Sequence, residues 1–268
     1  MATASVNGIT VGYDDEGAGA PLVLIHGHPF DRSMWAPQII DFSVSGWRVI
    51  APDLRGYGES GVTPGTMAWK TFASDIAALL GHLQLDDVVL GGLSMGGQIV
   101  MEFYRLFPDR VRALVLADTF CQAETEEGRR ARHDQADRLL RAGMRGYAEE
   151  VLAKMVAPDN ITALPAVAEH VLAMMLRTSP EGAAAALRSR AERPDYTNLL
   201  ARTSVPALVV VGRDDEFTPV AVAEFMARLI PQATLAVIDG AAHMPNLERA
   251  AEFNRVLHRF LALVDKAQ

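Results

Sequence analysis

One cysteine in 268 residues, Cys121, leaves no partner for an internal disulfide and no second thiol for a cysteine-cluster metal site. A free thiol suits a reducing compartment. Positive charge is also in short supply. The 25 Lys and Arg face 33 Asp and Glu, a formal net charge of −8, which is the wrong sign for gripping a nucleic-acid backbone. No apolar run is long enough to span a bilayer. The opening "MATASVNGITVGYDDEG" has no basic region leading into an apolar stretch, so no secretory signal is expected. No internal repeat or low-complexity tract is visible. These absences point to a soluble cytoplasmic protein with neither nucleic-acid nor membrane partners, and they leave its oligomeric state open.

What is present is apolar sequence, 50% of the chain, enough for a large core. Strand-like runs occur at "ITVGY", "PLVLIHG", "WRVIAPD", "DVVLGGL", "VRALVLAD", "PALVVVG" and "ATLAVID". Several are continuously apolar rather than alternating, the pattern of parallel strands covered on both faces. Helical patterns such as "TMAWKTFASDIAALLGHL" and "QIVMEFYRLF" lie between them. Strands alternating with helices predict an α/β fold with an open, mostly parallel, doubly wound sheet. The short Gly and Asn turns near the start predict an antiparallel hairpin at its beginning.

One stretch breaks the alternation. Across residues 119–197 the strand signal disappears and helical segments follow one another, which predicts a helical cap inserted into a core made of 1–118 and 198–268. Leu140, Met144, Tyr147, Val151 and Met155 recur there at helical spacing. Ser179 and Pro180 form an N-cap and first-turn pair.

The stretch "LGGLSMGGQIV" concentrates glycine where a buried strand meets a helix. Glycine weakens both kinds of element, so its presence answers a steric demand. Gly92-Leu93-Ser94-Met95-Gly96 fits a sharp strand-to-helix turn that lifts the Ser94 hydroxyl above the sheet edge. A glycine-rich turn binding phosphate, or nothing, is the plainer alternative. A serine hydroxyl is a poor nucleophile and needs a base. Of seven histidines, His243 falls in a loop after the last strand, at the carboxyl edge from which Ser94 projects. His82, His133, His170 and His258 lie in helical patterns and read as surface residues. The base in turn needs an acid. Asp214, Asp215 and Glu216 follow a buried strand, with Asp215 favoured, while Asp118 at the end of "VRALVLAD" competes for the role. Oxyanion donors are expected from the backbone N–H groups of Met95 and His28, Pro29 having none. The His28 side chain should lie near the substrate entrance, and His26 should be a buried, hydrogen-bonded residue beneath the loop.

Taken in order, "LIHGHPFDRSMW", "RVIAPDLRGYGES", "GGLSMGGQIV", "VGRDDEFTP" and "GAAHMPNLERAAEFN" resemble the α/β-hydrolase superfamily. Within it the chain is most similar to small bacterial carboxylesterases, 3-oxoadipate enol-lactonases and cofactor-free chloroperoxidases. The resemblance implies the α/β-hydrolase fold, a catalytic triad of Ser94, Asp215 and His243, an oxyanion hole at His28 and Met95, and bracing roles for Asp53 and Arg55. It implies a serine hydrolase acting on a small carboxylic ester or lactone, acyl-homoserine lactones among the candidates, with no metal and no organic cofactor. Carbon–carbon bond hydrolysis or perhydrolysis by the same triad, and a slowly turning ligand sensor, are the alternatives. Substrate choice would fall to the cap. Met144, Tyr147, Met155, Met174 and Met175, with Leu176, could line an acyl pocket, although packing the cap onto the core is the plainer role for any one of them. Arg129, Arg130, Arg132 and Arg177 could attract an anionic substrate or simply face water.

Overall fold

The computed structural model describes residues 2–266. Eight strands form one sheet: β1 (Ala2–Val6), β2 (Ile9–Gly17), β3 (Ala20–Ile25), β4 (Trp47–Pro52), β5 (Val88–Leu93), β6 (Val111–Ala117), β7 (Ala207–Gly212) and β8 (Ala233–Ile238). Their order is β1-β2-β4-β3-β5-β6-β7-β8, antiparallel at the β1/β2 and β2/β4 pairs and parallel elsewhere. The expected hairpin exists, but "ITVGY" pairs with the preceding Ala2–Val6 rather than with "PLVLIHG". Its two-residue turn is Asn7-Gly8, both at positive φ (45° and 79°), the geometry that Asn-Gly supplies most readily.

The apolar runs are divided between two cores by the period of two along each strand. Val23, Ile25, Leu90, Leu114, Leu116, Val209 and Val211 enter one core. Their neighbours Leu22, Leu24, Val89, Val115, Leu208 and Val210 enter the other. Helices α2 (Lys70–His82) and α3 (Met95–Leu106) cover the first face, and α1 (Ala36–Ser43) belongs to the second. A sheet buried on both faces accounts for the continuous hydrophobic character of its central strands.

Six helices separate β6 from β7: α4 (Glu126–Ala142), α5 (Arg145–Met155), α6 (Pro158–Ala163), α7 (Pro165–Arg177), α8 (Pro180–Ala191) and α9 (Thr197–Leu200). The helical spacing that joins Leu140 to Met155 does not mark one helix. Gly143, at φ 72°, ends α4 with its N–H on the Leu139 carbonyl, leaving Leu140 exposed and starting α5 afresh. The Ser179 side chain does cap α8 by accepting from Gly182 N–H. Helix α8 is seated directly on the core, because Gly182 meets Gly56 so closely that a Cβ on either would strike the other's backbone. The chain closes with α10 (Val220–Leu229), α11 (Pro245–Glu248) and α12 (Ala250–Lys266). Among the described residues no helix is long and apolar enough to cross a membrane.

Candidate active site

Sheet order brings the sequence-selected residues together. His28 follows β3, Ser94 follows β5, Asp118 follows β6, Asp215 follows β7 and His243 follows β8, and these five strands are consecutive neighbours. All five are parallel, so the residues leave the sheet at one carboxyl edge, where open α/β sheets bind ligands.

Ser94 sits between β5 and α3 at φ 56° and ψ −117°, a region L-residues rarely occupy. Its conformation is held on both sides: its N–H donates to the Ala117 carbonyl at 2.9 Å, and its own carbonyl accepts from Thr119 Oγ1 at 2.7 Å. The flanking glycines allow the crossing. A Cβ on Gly92 would overlap the backbone of Gly96, and one on Gly96 would overlap the Ile25 carbonyl. Any side chain at either position would push the strand and helix apart and relax the turn.

His243 Nδ1 lies 2.8 Å from Asp215 Oδ2, and both side chains are buried. Asp215 is itself fully engaged: Oδ1 accepts from Phe217 N–H (2.8 Å) and Thr218 N–H (3.2 Å), and Oδ2 also accepts from the Thr218 hydroxyl. Burial opposes its ionisation, but the His243 charge and these hydrogen bonds outweigh burial and hold the carboxyl below its ordinary range. Asp118 is pushed the other way. Burial, and then the adjacent Asp215 charge, raise it well above the carboxylate range, only partly opposed by the Gly212 N–H that Oδ1 accepts at 2.8 Å. The site thus places side by side one carboxyl held low and one pushed high, and His243 is paired with the one held low. Asp118, Asp215 and His243 bring three ligand-type atoms within 4.8 Å of one another. With four donors already on Asp215, no lone pair is left there for a cation, and the group reads as a hydrogen-bond relay.

Two backbone donors neighbour this corner in the chain, Met95 directly after Ser94 and His28 just after β3. Met95 is the first residue of α3, where N–H groups have no partner within the helix. Neither Met95 nor His28 N–H has a protein acceptor among the described residues. His28 is 5% exposed, and its Nδ1 lies 2.7 Å from the Tyr57 hydroxyl. Burial, and then the charges of Arg190 and Arg132, hold its pKa well below the usual range, so the ring is neutral. Burial also keeps the Tyr57 phenol protonated. The two groups share one hydrogen bond, and His28 Nε2 is left without a protein partner. His26 is the buried, hydrogen-bonded residue expected beneath the loop: Nδ1 donates to Gly27 O (2.8 Å) and Nε2 accepts from Leu54 N–H (2.9 Å). Asp53 accepts from Arg32 and Glu59 N–H, and Arg55 forms a buried bidentate pair with Asp75. These bonds tie the loop after β4 to its neighbours.

A cavity of about 360 Å³ opens over this edge and is lined by Ser94, His243 and His28 from the sheet side. Tyr147 and Met155 line it from α5. Met144, Met174 and Met175 do not. Met144 packs with Leu139 and Leu187 between α4 and α8, and the α7 methionines are fully buried in the core beneath. Periodicity identifies an apolar face but not which neighbour it turns towards. Of the four arginines singled out, only Arg132 reaches the cavity; Arg129 and Arg130 lie beside Glu126, and Arg177 pairs with Asp31. Sequence reasoning missed Arg190, Glu124, Gln135 and Phe120 on the helical side, and Phe217 and Thr218 beside the acid. Gly128, Ala131, Arg132 and Gln135 recur at helical spacing on α4, a signal that was available.

A family model described as alpha/beta hydrolase fold matches residues 20–250. A solved thermophilic esterase from Thermogutta terrifontis, with malate bound, is 40% identical with a TM-score of 0.94, over 98% of this chain and 97% of that one. A 3-oxoadipate enol-lactonase of Acinetobacter baylyi is 31% identical over 225 residues, 84% of this chain and 82% of the relative. A non-heme chloroperoxidase of Kitasatospora aureofaciens is 30% identical over 271 residues, 95% of this chain and 97% of the relative. Since the likeness runs along nearly the whole length in both sequence and fold, the chain belongs to the α/β hydrolase fold family.

Proposed function

We propose that this chain is a serine hydrolase of small carboxylic esters or lactones working through an acyl-enzyme. The observation that carries the reading is that Ser94, on its strained turn, shares a cavity with His243, whose imidazole is held by ionised Asp215. In this reading Ser94 Oγ attacks the substrate carbonyl while His243 removes its proton. Asp215 fixes the Nδ1–H tautomer and stabilises the imidazolium. The oxyanion is received by the His28 and Met95 N–H groups, each such donor being worth about 3 kcal/mol of barrier in well-studied hydrolases. His243 then protonates the leaving alkoxide and activates the water that releases the acid. The six helices act as a cap that closes the cavity and selects substrate. Likeness to an esterase and to a 3-oxoadipate enol-lactonase supports acyl chemistry on open esters and on rings.

The test is turnover of open-chain acyl esters beside simple and acyl-homoserine lactones, with Ser94→Ala prepared in parallel. At least one substrate class should turn over, with a loss of about 10⁴-fold or more in the variant. Wild-type rates in Ser94→Ala, or silence of the wild type on every substrate, would overturn the reading.

A further inference from the structure

The helical wall of the cavity carries more positive charge than it neutralises. Arg190, near the end of α8, is 8% exposed. Its Nε donates to Gln98 Oε1 at 2.7 Å, and its guanidinium lies 5.8 Å from the centre of the Phe120 ring. Among the described residues no carboxylate pairs with it. The nearby carboxylate, Glu124, is taken by Arg132, whose Nε reaches it at 2.7 Å, with Arg193 Nη2 at 3.4 Å from the same oxygen. Arg193 is 2% exposed, stacks over Phe120 at 4.6 Å, and none of its three guanidinium nitrogens makes a hydrogen bond. Three guanidiniums therefore stand near one carboxylate, and only Arg132 and Arg193 reach it. Asp195, the next acid, lies at the surface and is bound to the Ala123 and Thr197 N–H groups.

Two further buried polar atoms line the same cavity without a protein partner, Gln135 Nε2 and His28 Nε2. Buried cations and donors left unmet are costly to a fold. The cost shows in the arginines themselves: burial, and then the neighbouring guanidiniums, pull Arg190 well below its ordinary pKa, and burial brings Arg193 down to about 10. This surplus sits inside a chain of net charge −8, so it is a local feature of the cavity. An anion in the cavity would meet it.

The position of Arg190 sets where that anion belongs. Its anchor Gln98 stands one helical turn beyond Ser94, with Gln98 N–H on the Ser94 carbonyl at 3.2 Å. One turn is about 5.4 Å along the axis, a spacing of a few carbons. We infer that the substrate carries a free carboxylate a few carbons from its scissile carbonyl, and that Arg190 is the residue that recognises it. The substrate class is then the half-ester of a short dicarboxylic acid, or a lactone bearing a carboxylate arm. Gln135 Nε2 and His28 Nε2 are the additional unpartnered polar atoms lining the same cavity. This inference rests on the hydrolase reading above.

The experiment compares pairs of the same shape and different charge: monomethyl succinate, glutarate and adipate against the methyl esters of the corresponding half-amides. For at least one chain length, wild type should favour the carboxylate by about tenfold or more in kcat/KM. The difference should lie mainly in KM, since the contact is remote from the reacting atoms. Arg190→Gln should bring the ratio towards one, and Arg190→Lys should retain part of it. If Arg190→Gln does not fold, inhibition of the wild type answers instead. Glutarate should compete with a neutral ester where glutaramide at matched ionic strength does not. Amide esters turned over as well as the acids at every length, with Ser94-dependent rates, would overturn the inference and leave the hydrolase reading standing. A ratio unmoved in a folded Arg190→Gln, or glutarate no better than glutaramide, would overturn it as well. Silence of the wild type on these esters and on simple acyl esters would remove the hydrolase reading and this inference together.

Discussion

The two walls of the cavity are built on opposite terms. On the sheet wall the three residues Ser94, Asp215 and His243 are each held by protein partners: Asp215 receives four donors, His243 is held by Asp215, and Ser94 is fixed by Ala117 and Thr119. Its conformation is stored in backbone, through glycines that admit no side chain. On the helical wall Arg190 has no carboxylate and Gln135 Nε2 has no partner, and behind them the Arg193 guanidinium makes no hydrogen bond. A fully satisfied constellation is preorganised before substrate arrives, which favours chemistry. An unsatisfied one is completed only by substrate, which favours selection. On the proposed reading, the first wall serves rate and the second serves specificity.

The sharpest way to break this division is to exchange its two carboxyls. Asp215→Asn should lower kcat by about 10⁴-fold, because the amide cannot support the imidazolium or its tautomer. Asp118→Asn should lower it less than about tenfold, since His243 pairs with Asp215 and burial beside that charge disfavours ionisation of Asp118. Equal losses from the two variants, measured with one ester, would give Asp118 a share of the acid's role. The same pair has a stability signature. Above the ordinary carboxylate pKa of about 4, the folded chain keeps the Asp118 proton that the unfolded chain has released. That proton stabilises the fold most at low pH, and its contribution is lost as pH rises towards the raised folded value. Asp118→Asn should flatten this decline of Tm with rising pH, whereas an unchanged slope would place the proton elsewhere.

On the helical wall the expected effects are smaller and concern choice rather than rate. Met155 is 3% exposed and lines the cavity. Met155→Ala should cost about 2 kcal/mol in stability and shift preference towards longer acyl chains severalfold, read from kcat/KM over a chain-length series. A uniform loss across that series would mean that Met155 supports the fold without shaping the pocket. The smallest effect belongs to the cap of α8. Ser179→Ala should remove about 1 kcal/mol, or about 2–4 °C of Tm, with kcat/KM unchanged. A large fall in activity there would tie the position of α8 to chemistry.

The same division explains what the sequence made legible. The central strands are visible because both faces are buried and the apolar run is unbroken. The β1 segment "ATASV" is not, since its small residues carry little hydrophobic signal. Ser94, Asp215 and His243 could be singled out, and the fold brings them to one edge, because each follows a strand and the turn chemistry is written locally, in glycines and in a carboxylate cluster. Arg190 was not found, because an arginine after "AAAALRS" looks like a solvated helix end. Its burial depends on Gly182 meeting Gly56 and on Gln98 from another helix, and both are contacts between distant segments. Met174 and Met175 failed for the same reason in reverse. Their spacing marks an apolar face, and only the packing of α7 onto the core decides that it turns from the cavity.

The central claim is that Ser94 is the nucleophile on a preorganised wall. It is tested most directly by treating the protein with a fluorophosphonate and mapping the adduct by mass spectrometry. The account predicts one phosphonyl group per chain, on Ser94, absent in Ser94→Ala and formed far more slowly in Asp215→Asn. Labelling of another residue, or ester turnover that survives with Ser94 unlabelled, would contradict it.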